Sequence, residues 1–199
     1  MAVVIGVDPG LHGGIAILNG ERKSKIVALD APPLAQNKSG KSVVDFGVIR
    51  ESLKKVLYSF RQDAWAVIEH THAFPNQGGV SNFTSGYNYG RWIEMLAGMR
   101  LPVIEMPAAQ WRSSVLSEQE LAAFSKSTIT QGAKRKLTPK EKTLIRTMRK
   151  QASVKRSLEL YPSAQAMIKG LEDEGKAEAL LIAHVGRSIM HKPWRVTCV

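Results

Sequence analysis

The sequence has little of what a disulfide-bonded, exported or membrane-embedded protein needs. Only one of its 199 residues is cysteine, which excludes an internal disulfide framework and a cysteine-rich zinc site. No stretch approaches the roughly 20 apolar residues of a membrane span, and Met1 leads straight into an apolar run without a basic leader. The 44% share of hydrophobic residues is enough for a buried core, which excludes a disordered chain. We therefore expect a soluble cytoplasmic protein.

Acidic residues are scarce relative to basic ones. Lys and Arg number 28 against 17 Asp and Glu, for a net charge of +11. Most of the excess lies between Arg112 and Arg156, where twelve basic residues accompany three acidic ones, and the other 154 residues carry only +2. A solvated helical face or a disordered basic stretch is the alternative explanation of such a run. We favour a surface that binds nucleic-acid phosphates.

Apolar runs separated by turns predict three antiparallel strands at the start of the chain. Residues 3–7 form an apolar run typical of a buried central strand, and the run ends at Asp8. The Asp8-Pro9-Gly10 turn leads into a second strand over residues 13–18, and Asn19-Gly20 leads into a third over residues 25–29.

Mixed periodicities predict an α/β arrangement for the rest of the chain. Pro, Gly and polar residues mark residues 31–45 as an exposed loop. In chain order we then predict a helix over 48–62, a strand over 64–69, an irregular segment over 71–89, a helix from Arg91, a strand over 101–106, helical stretches in the basic segment with one start at Thr138-Pro139, and a final helix over 177–190.

Carboxylates stand at the ends of several predicted elements. Asp8 ends the first strand and Glu69 ends the fourth, and both project from the same sheet edge if these strands are parallel neighbours. Glu174 and Glu178 lie four residues apart at the start of the last helix, so they share one helix face. Taken singly, each has a plainer explanation as a turn residue, a cap or a partner of the helix macrodipole.

A gathering of these carboxylates needs a cation. Like charges repel at close range, and ligand sets made only of oxygen favour Mg²⁺ or Mn²⁺ over zinc. Two such ions, roughly 4 Å apart, activate water and stabilise the leaving oxygen in phosphodiester hydrolysis. The acidic positions and the basic segment together point to a nuclease.

Three segments resemble the metal-site motifs of RuvC-type Holliday junction resolvases. They are Ile5-Gly6-Val7-Asp8-Pro9-Gly10 followed by Gly13-Gly14-Ile15-Ala16, then Val67-Ile68-Glu69, and Ala177-Glu178-Ala179-Leu180-Leu181-Ile182-Ala183. The third is most similar to the variant found in phage and related resolvases. Actin-like kinases and ribonuclease H relatives share the first motif, whereas the ordered set is fairly specific and its resemblance spans nearly the whole chain.

The resemblance implies a ribonuclease H-like α/β fold. Its parts are a mixed five-stranded sheet whose first three strands are antiparallel, with helices on both faces. We expect a single domain over residues 1–199, in which a basic helical insertion at about residues 113–150 exceeds what a compact resolvase of this type needs. The resemblance further implies a homodimer that binds branched DNA, especially four-way junctions, and cuts it by paired nicks. A phage-encoded member would work in the host cytoplasm.

The resemblance also assigns roles to the carboxylates. Catalysis and metal binding fall to Asp8, Glu69, Glu174 and Glu178, with Mg²⁺ as the cofactor and Mn²⁺ able to substitute. Glu172-Asp173-Glu174 stands where relatives usually have one Asp, so either Asp173 or Glu174 is the metal ligand of the third motif. No histidine stands just before this motif, as it does in many relatives.

DNA contacts are predicted for one aromatic and several basic residues. Phe74 follows the second motif, where family members place residues that enter the junction centre, and an aromatic ring there stacks on unpaired bases. The basic candidates are Arg112, Lys134, Arg135, Lys136, Arg149, Lys150, Lys155 and Arg156. Two alternatives stay open: a noncatalytic junction-binding protein and, disfavoured because the chain is short for two lobes, an actin-like phosphotransferase.

Overall fold

The computed structural model describes residues 3–19, 25–60, 63–73, 78–130, 132 and 135–189. The strands are β1 (Val3–Asp8), β2 (Gly14–Asn19), β3 (Ile26–Asp30), β4 (Leu34–Gln36), β5 (Ser42–Val44), β6 (Ala64–His70) and β7 (Val103–Pro107). The α-helices are α1 (Phe46–Phe60), α2 (Gly79–Gly98), α3 (Ala108–Val115), α4 (Glu118–Ala123), α5 (Lys126–Ile129), α6 (Pro139–Leu160) and α7 (Glu174–Ile189). Two short 3₁₀ turns, Pro162–Ala166 and Leu171–Asp173, join α6 to α7.

A five-stranded mixed sheet forms the centre, in the order β3-β2-β1-β6-β7. The first three strands are antiparallel, while β1, β6 and β7 run parallel. The prediction of a mixed five-stranded sheet whose first three strands are antiparallel is confirmed. Parallel pairing of β1 with β6 sets Val7 opposite Ile68, so the next residues, Asp8 and Glu69, come to the same sheet edge.

Alternate residues of the central strands face two separate apolar clusters, as the period of a strand requires. One face, with Val4, Ala16 and Val67, packs against a cluster that includes buried residues of α3, α6 and α7. The other face, with Ile5, Ile17 and Ile68, packs against buried residues of α1 and α2. Helices therefore cover both faces, which explains why β1 reads as an unbroken apolar run.

Helix α7 lies unusually close to β1 and β2 because glycines leave room for its backbone. A Cβ on Gly6 would sit 2.2 Å from the carbonyl oxygen of Ala179, and a Cβ on Gly14 would sit 2.2 Å from that of Gly175. Real Cβ atoms do not approach backbone so closely, so any side chain at these positions would push the helix away. This contact brings the first turns of α7 to the edge where β1 ends.

Two segments differ from the predictions. Residues 31–45 contain the short hairpin β4–β5. Its strands have three residues each and little burial, so they leave no alternating apolar pattern in the sequence. Helix α2 begins at Gly79, well before Arg91, and Asn88 is its only buried residue before Trp92. Its first half therefore lacks the apolar stripe that marks a helix in sequence. Gly20, in the predicted Asn19-Gly20 turn, and Met190, the end of the last predicted helix, lie outside the described residues.

The basic segment is helical, as predicted. Helix α6 begins with a capping box in which Thr138 and Glu141 bond each other's backbone, and Ser117 and Glu120 do the same for α4. Phe124 and Ile145 join these helices to the apolar cluster of α7. Within the described ranges, no helix is both long and apolar enough to cross a membrane.

Candidate active site

Four carboxylates converge where β1 and β6 end and α7 begins. Burial, which has the largest effect, and the charges of Glu178, Glu69 and Glu174 together raise the pKa of Asp8 to about 8, against a smaller opposing effect of the Gly10 N–H. These electrostatic effects require the four groups to be neighbours, although they come from three elements far apart in the chain. The convergence is the arrangement that the strand ends and the i,i+4 spacing predicted. The roles of these residues as ligands stay a prediction.

Glu69 is held at the edge of β6 by a hydrogen bond from the ring of Trp111. The indole Nε1 donates to Glu69 Oε2 at 2.7 Å, and the Trp111 side chain is fully buried. Burial raises the pKa of Glu69, while the nearby Arg112 guanidinium opposes that increase. Trp111 was not among the predicted site residues, although it stands directly before Arg112 in the sequence.

Glu178 is the most buried of the four carboxylates, with 6% of its surface exposed. Ser153 of α6 donates its hydroxyl to Glu178 Oε1 at 2.9 Å. The same carboxylate accepts from Arg112 Nη2, at 3.1 Å to Oε1 and 3.3 Å to Oε2. A buried carboxylate needs such partners, because desolvation penalises its charge.

Arg112 lies inside the carboxylate cluster. Its Nη2 is 3.7 Å from Glu69 Oε2 in addition to its contact with Glu178, and its Cζ lies 4.5 Å from the centre of the Trp111 ring. Burial acts to lower the pKa of Arg112, but the charges of Glu178 and Glu69 outweigh it and raise the pKa. The sequence predicted Arg112 as a DNA contact, and the structure adds a contact within the site.

Glu174 and Asp173 face different partners. Glu174 forms an ion pair with Lys150, and burial together with the charge of Glu178 acts to raise its pKa. Asp173 instead accepts the backbone N–H of Lys169 at 2.9 Å and pairs with Lys176 at 2.8 Å, and both contacts lower its pKa. Asp173 thus braces the turn before α7, while Glu174 belongs to the carboxylate cluster.

In the arrangement described, no three His, Cys, Asp or Glu side chains within the residues covered stand ready to hold a metal ion. Arg112 Nη2 lies between Glu69 and Glu178, at 3.7 Å and 3.1 Å from their oxygens. The donor set itself fits a hard divalent cation, because all four groups are carboxylates. Asp8 supports this fit: it is crowded by three other carboxylates, and no Lys or Arg of the described ranges pairs with it.

A row of basic side chains on α6 leads away from the cluster. We call Lys142, Arg146, Arg149 and Lys150 the α6 basic row, because spacings of three and four residues place them on the helix face of Ser153. The charge of Arg146 acts to lower the pKa of Glu174. The charges of Arg112 and Glu178 in turn act on the pKa of Arg149, the first lowering it and the second raising it. The row therefore begins at the carboxylates. Lys142 and Arg146 were not among the predicted DNA contacts.

The other predicted DNA contacts occupy varied positions. Arg135 pairs with Glu141, Lys155 lies 3.8 Å from Glu159, and Lys136 is exposed. Arg156 donates to the carbonyl oxygen of Val115 at 2.7 Å and pairs with Glu159 at 3.0 Å, so it also ties α6 to α3. Phe74 and Lys134 lie outside the described residues. All these DNA contacts stay predictions.

A small cavity of about 190 Å³ opens beside Asp8. Besides residues of the Asp8 turn, its lining includes Thr71 after β6 and Thr84, Ser85 and Asn88 of α2. These uncharged polar groups lie beside Asp8, and α2 packs on the sheet face opposite to α7. The sequence did not identify them, because the first half of α2 is polar and largely exposed and lacks an apolar stripe.

Of the comparisons with known proteins, only the one with solved structures gives a match. The sequence matches no protein-family model and no curated protein. Among solved structures it is similar to Thermus thermophilus RuvC in complex with a Holliday junction substrate, at 16% identity and a TM-score of 0.47, over 96% of this chain and 97% of that chain. A further T. thermophilus RuvC structure matches at 17% identity and a TM-score of 0.43, over 94% and 96%. We draw the functional conclusion from the residues of this chain, because similarity at this level transfers no activity.

Proposed function

We propose that this protein is a divalent-metal-dependent DNA endonuclease that resolves four-way or branched junctions by paired phosphodiester hydrolysis. The observation that carries the proposal is the convergence of Asp8, Glu69, Glu174 and Glu178 at one sheet edge. The α6 basic row beside them offers a path for the DNA backbone. An acidic centre next to a basic row suits a nuclease, since the substrate is anionic and the reaction needs cations.

The four carboxylates would hold the metal ions, preferably Mg²⁺ with Mn²⁺ as a substitute. When bound, such ions supply the activation of water and the stabilisation of the leaving oxygen. Of the two residues left open by the third motif, we propose Glu174 as the ligand, because its charge acts on Asp8 and that of Glu178 acts on it. Asp173 instead bonds only Lys176 and the Lys169 backbone. Trp111 and Ser153 orient Glu69 and Glu178 by their hydrogen bonds.

The α6 basic row would position the DNA strand. Side chains on one helix face at i, i+4 and i+7 follow one line, with a rise of about 1.5 Å per residue. Ser153 at the lower end of this line touches Glu178, so a phosphate backbone lying on the row would run into the carboxylate cluster. Arg and Lys suit this role because phosphate contacts position DNA without reading its sequence.

We also propose that the protein acts as a homodimer, so that two sites nick two strands. Helix α7 packs within its own chain, so it is unsuited to the interface. Exposed apolar residues of α2 are better candidates, since Val80 and Phe83 are 81% and 75% exposed and Tyr87 stacks on Phe83. Sedimentation of wild type against Phe83→Ser tests this, with a monomeric variant expected and an unchanged mass contradicting the interface.

One experiment tests the activity itself. Purified protein is incubated with end-labelled four-way junction, Y-shaped DNA and linear duplex, with Mg²⁺, with Mn²⁺ and with EDTA. We expect metal-dependent nicks in two strands of the junction, few in the Y-shaped DNA and none in the duplex. Intact junction in both metals, at protein concentrations that shift its mobility, would contradict the proposal.

A noncatalytic junction-binding protein is the second candidate, and one observation favours it. Arg112 and Lys150 already neutralise three of the four carboxylates. If these pairs were permanent, the protein would bind a junction without cutting it. The same experiment separates the two functions, because this candidate shifts the junction in gels and leaves its strands whole under every metal condition.

A further inference from the structure

Arg112 has an unexpected place for a residue that opens a basic segment. Its guanidinium is drawn back between Glu69 and Glu178, and its side chain is only 20% exposed. Lys155, in the same segment, instead leaves 68% of its side chain in solvent. Arg112 therefore competes for the same carboxylate oxygens that divalent ions would use.

The contacts of Arg112 are poor for a buried guanidinium. A strong Arg–carboxylate pair uses two nitrogens side by side, whereas here Nη2 alone serves both oxygens of Glu178. Its distance of 3.7 Å to Glu69 is too long for a hydrogen bond. Its buried Nε has no partner in the part of the chain described, and an unpaired buried donor costs free energy.

The carboxylates do not depend on Arg112 for their orientation. Glu69 keeps the donor of Trp111 at 2.7 Å, and Glu178 keeps that of Ser153 at 2.9 Å. Both donors are neutral side chains, nearly or fully buried and anchored in helices. The site thus combines fixed neutral donors with one cation that bonds the carboxylates through a single nitrogen.

On the basis of the proposed function, we propose that Arg112 is a displaceable counter-cation. It neutralises Glu69 and Glu178 while DNA is absent, and it releases them and moves to a DNA phosphate when the substrate binds. A guanidinium suits both positions, because it pairs with carboxylate and with phosphate alike. Arg149, close enough to act on Arg112 electrostatically, marks the direction of the α6 basic row into which it would move. The affinity of the site for divalent ions is therefore low in the DNA-free protein, so the site binds its metal ions mainly when DNA is bound.

The test measures Mn²⁺ binding to the DNA-free full chain by titration calorimetry. Arg112→Gln is expected to bind Mn²⁺ about tenfold more tightly than wild type, within the usual range of coupling between two competing ligands. Lys140→Gln is the matched control, since it removes one positive charge from an exposed position of the same segment that is assigned neither to the carboxylate cluster nor to DNA contact. Its Mn²⁺ affinity is expected to equal that of wild type.

A second measurement on the wild-type chain covers the case in which Arg112→Gln does not fold. The arginine Nε–Hε NMR signal of Arg112, assigned with Arg112→Lys, is expected to shift on addition of Mg²⁺ together with junction DNA, and far less with Mg²⁺ alone. Equal Mn²⁺ affinities of wild type and Arg112→Gln, or an Arg112 signal that does not shift when DNA is added, would contradict the counter-cation proposal. Either result would leave the proposed nuclease function unaffected. If no protein of the set, including a Glu178→Gln reference, shows saturable Mn²⁺ binding, the proposed function fails as well.

Discussion

The carboxylate site and residues 117–141 differ in how far apart in the sequence their hydrogen-bonded partners lie. Glu69 and Glu178 accept hydrogen bonds from residues 42, 66 and 25 positions away in the chain. In residues 117–141 the capping boxes join residues 3 apart, and Arg135 pairs with Glu141 over 6 residues. The local bonds form as soon as each helix does, whereas the site exists only in the finished fold. Changes at the site should therefore alter chemistry, whereas loss of the capping bonds of the local segment should alter stability and leave the chemistry unchanged.

The largest effect is expected from Glu178→Gln. It keeps the shape of the side chain and removes its charge, so junction cleavage in Mg²⁺ should fall by about 10²–10³-fold or more, the scale of losing one electrostatic stabiliser. Asp8→Asn should behave alike, while junction affinity in a gel-shift assay stays near that of wild type. Glu141→Gln, a carboxylate of the local segment, is the control and should cleave normally. Full cleavage by Glu178→Gln would remove that residue from the mechanism.

Gly14→Ala tests how closely α7 packs against the strands that carry the site. Its Cβ meets the backbone oxygen of Gly175 at 2.2 Å, so α7 must move, at a cost of about 3 kcal/mol, the upper range for overpacking. Cleavage should fall too, because α7 carries Glu174 and Glu178. Gly90→Ala on α2 meets nothing within 4 Å and should stabilise the chain by about 0.5–1 kcal/mol. Urea denaturation measures both, and equal stabilities would refute the close packing of α7.

Ser153→Ala isolates the contribution of a single orienting bond. We expect cleavage to fall about 10–100-fold, as for other partners of metal ligands, with a loss of Mn²⁺ affinity. Ser157→Ala is the matched control, because Ser157 is equally buried on the same helix but bonds only the carbonyl oxygen of Val154. Both variants should lose about 1 kcal/mol of stability. A role confined to stability would leave the cleavage rates of the two variants alike, and Ser153→Thr should restore much of the activity.

The stability of the metal-free protein should fall with rising pH because of Asp8. Its pKa is about 8 in the folded chain against 3.8 when free, so folding favours its protonated form. The stabilisation that protonated Asp8 gives the folded state is complete below about pH 4. It declines between pH 4 and 8, because Asp8 of the unfolded chain has lost its proton while Asp8 of the folded chain still holds it. Above pH 8 both states are ionised and this stabilisation is lost. Melting temperatures in EDTA across this window should therefore drop more steeply for wild type than for Asp8→Asn. Parallel curves would mean that Asp8 is not crowded as described.

The smallest effect is expected from Thr138→Ala in the local segment. Loss of the cap of α6 should cost about 1 kcal/mol, the usual value for an N-cap threonine. Cleavage by the folded protein should not change, because the cap bonds only Glu141 and the first turn of α6. Hydrogen exchange should quicken at the start of α6 alone. A large loss of cleavage would show that this segment reaches the site.

Much of the scaffold follows from local patterns in the chain. The three antiparallel strands, the strand that ends at Glu69 and the start of α6 at Thr138 were predicted from apolar runs, turn residues and a capping threonine followed by proline. The gathering of the carboxylates was predicted as well, since parallel strands end at one edge and residues four apart share a helix face. Helix α2 was predicted too short, because its first half is exposed and polar.

The positions of Trp111, Ser153 and Arg112 against the carboxylates had no counterpart in the pattern of residues. Trp111 and Ser153 look like ordinary helix residues, and Arg112 looks like one more surface cation. Strand ends and helix faces are properties of short segments, set by backbone geometry that neighbours in the chain share. Contacts across 25 to 66 residues depend on how α3, α6 and α7 pack around the sheet, and only the folded chain determines them.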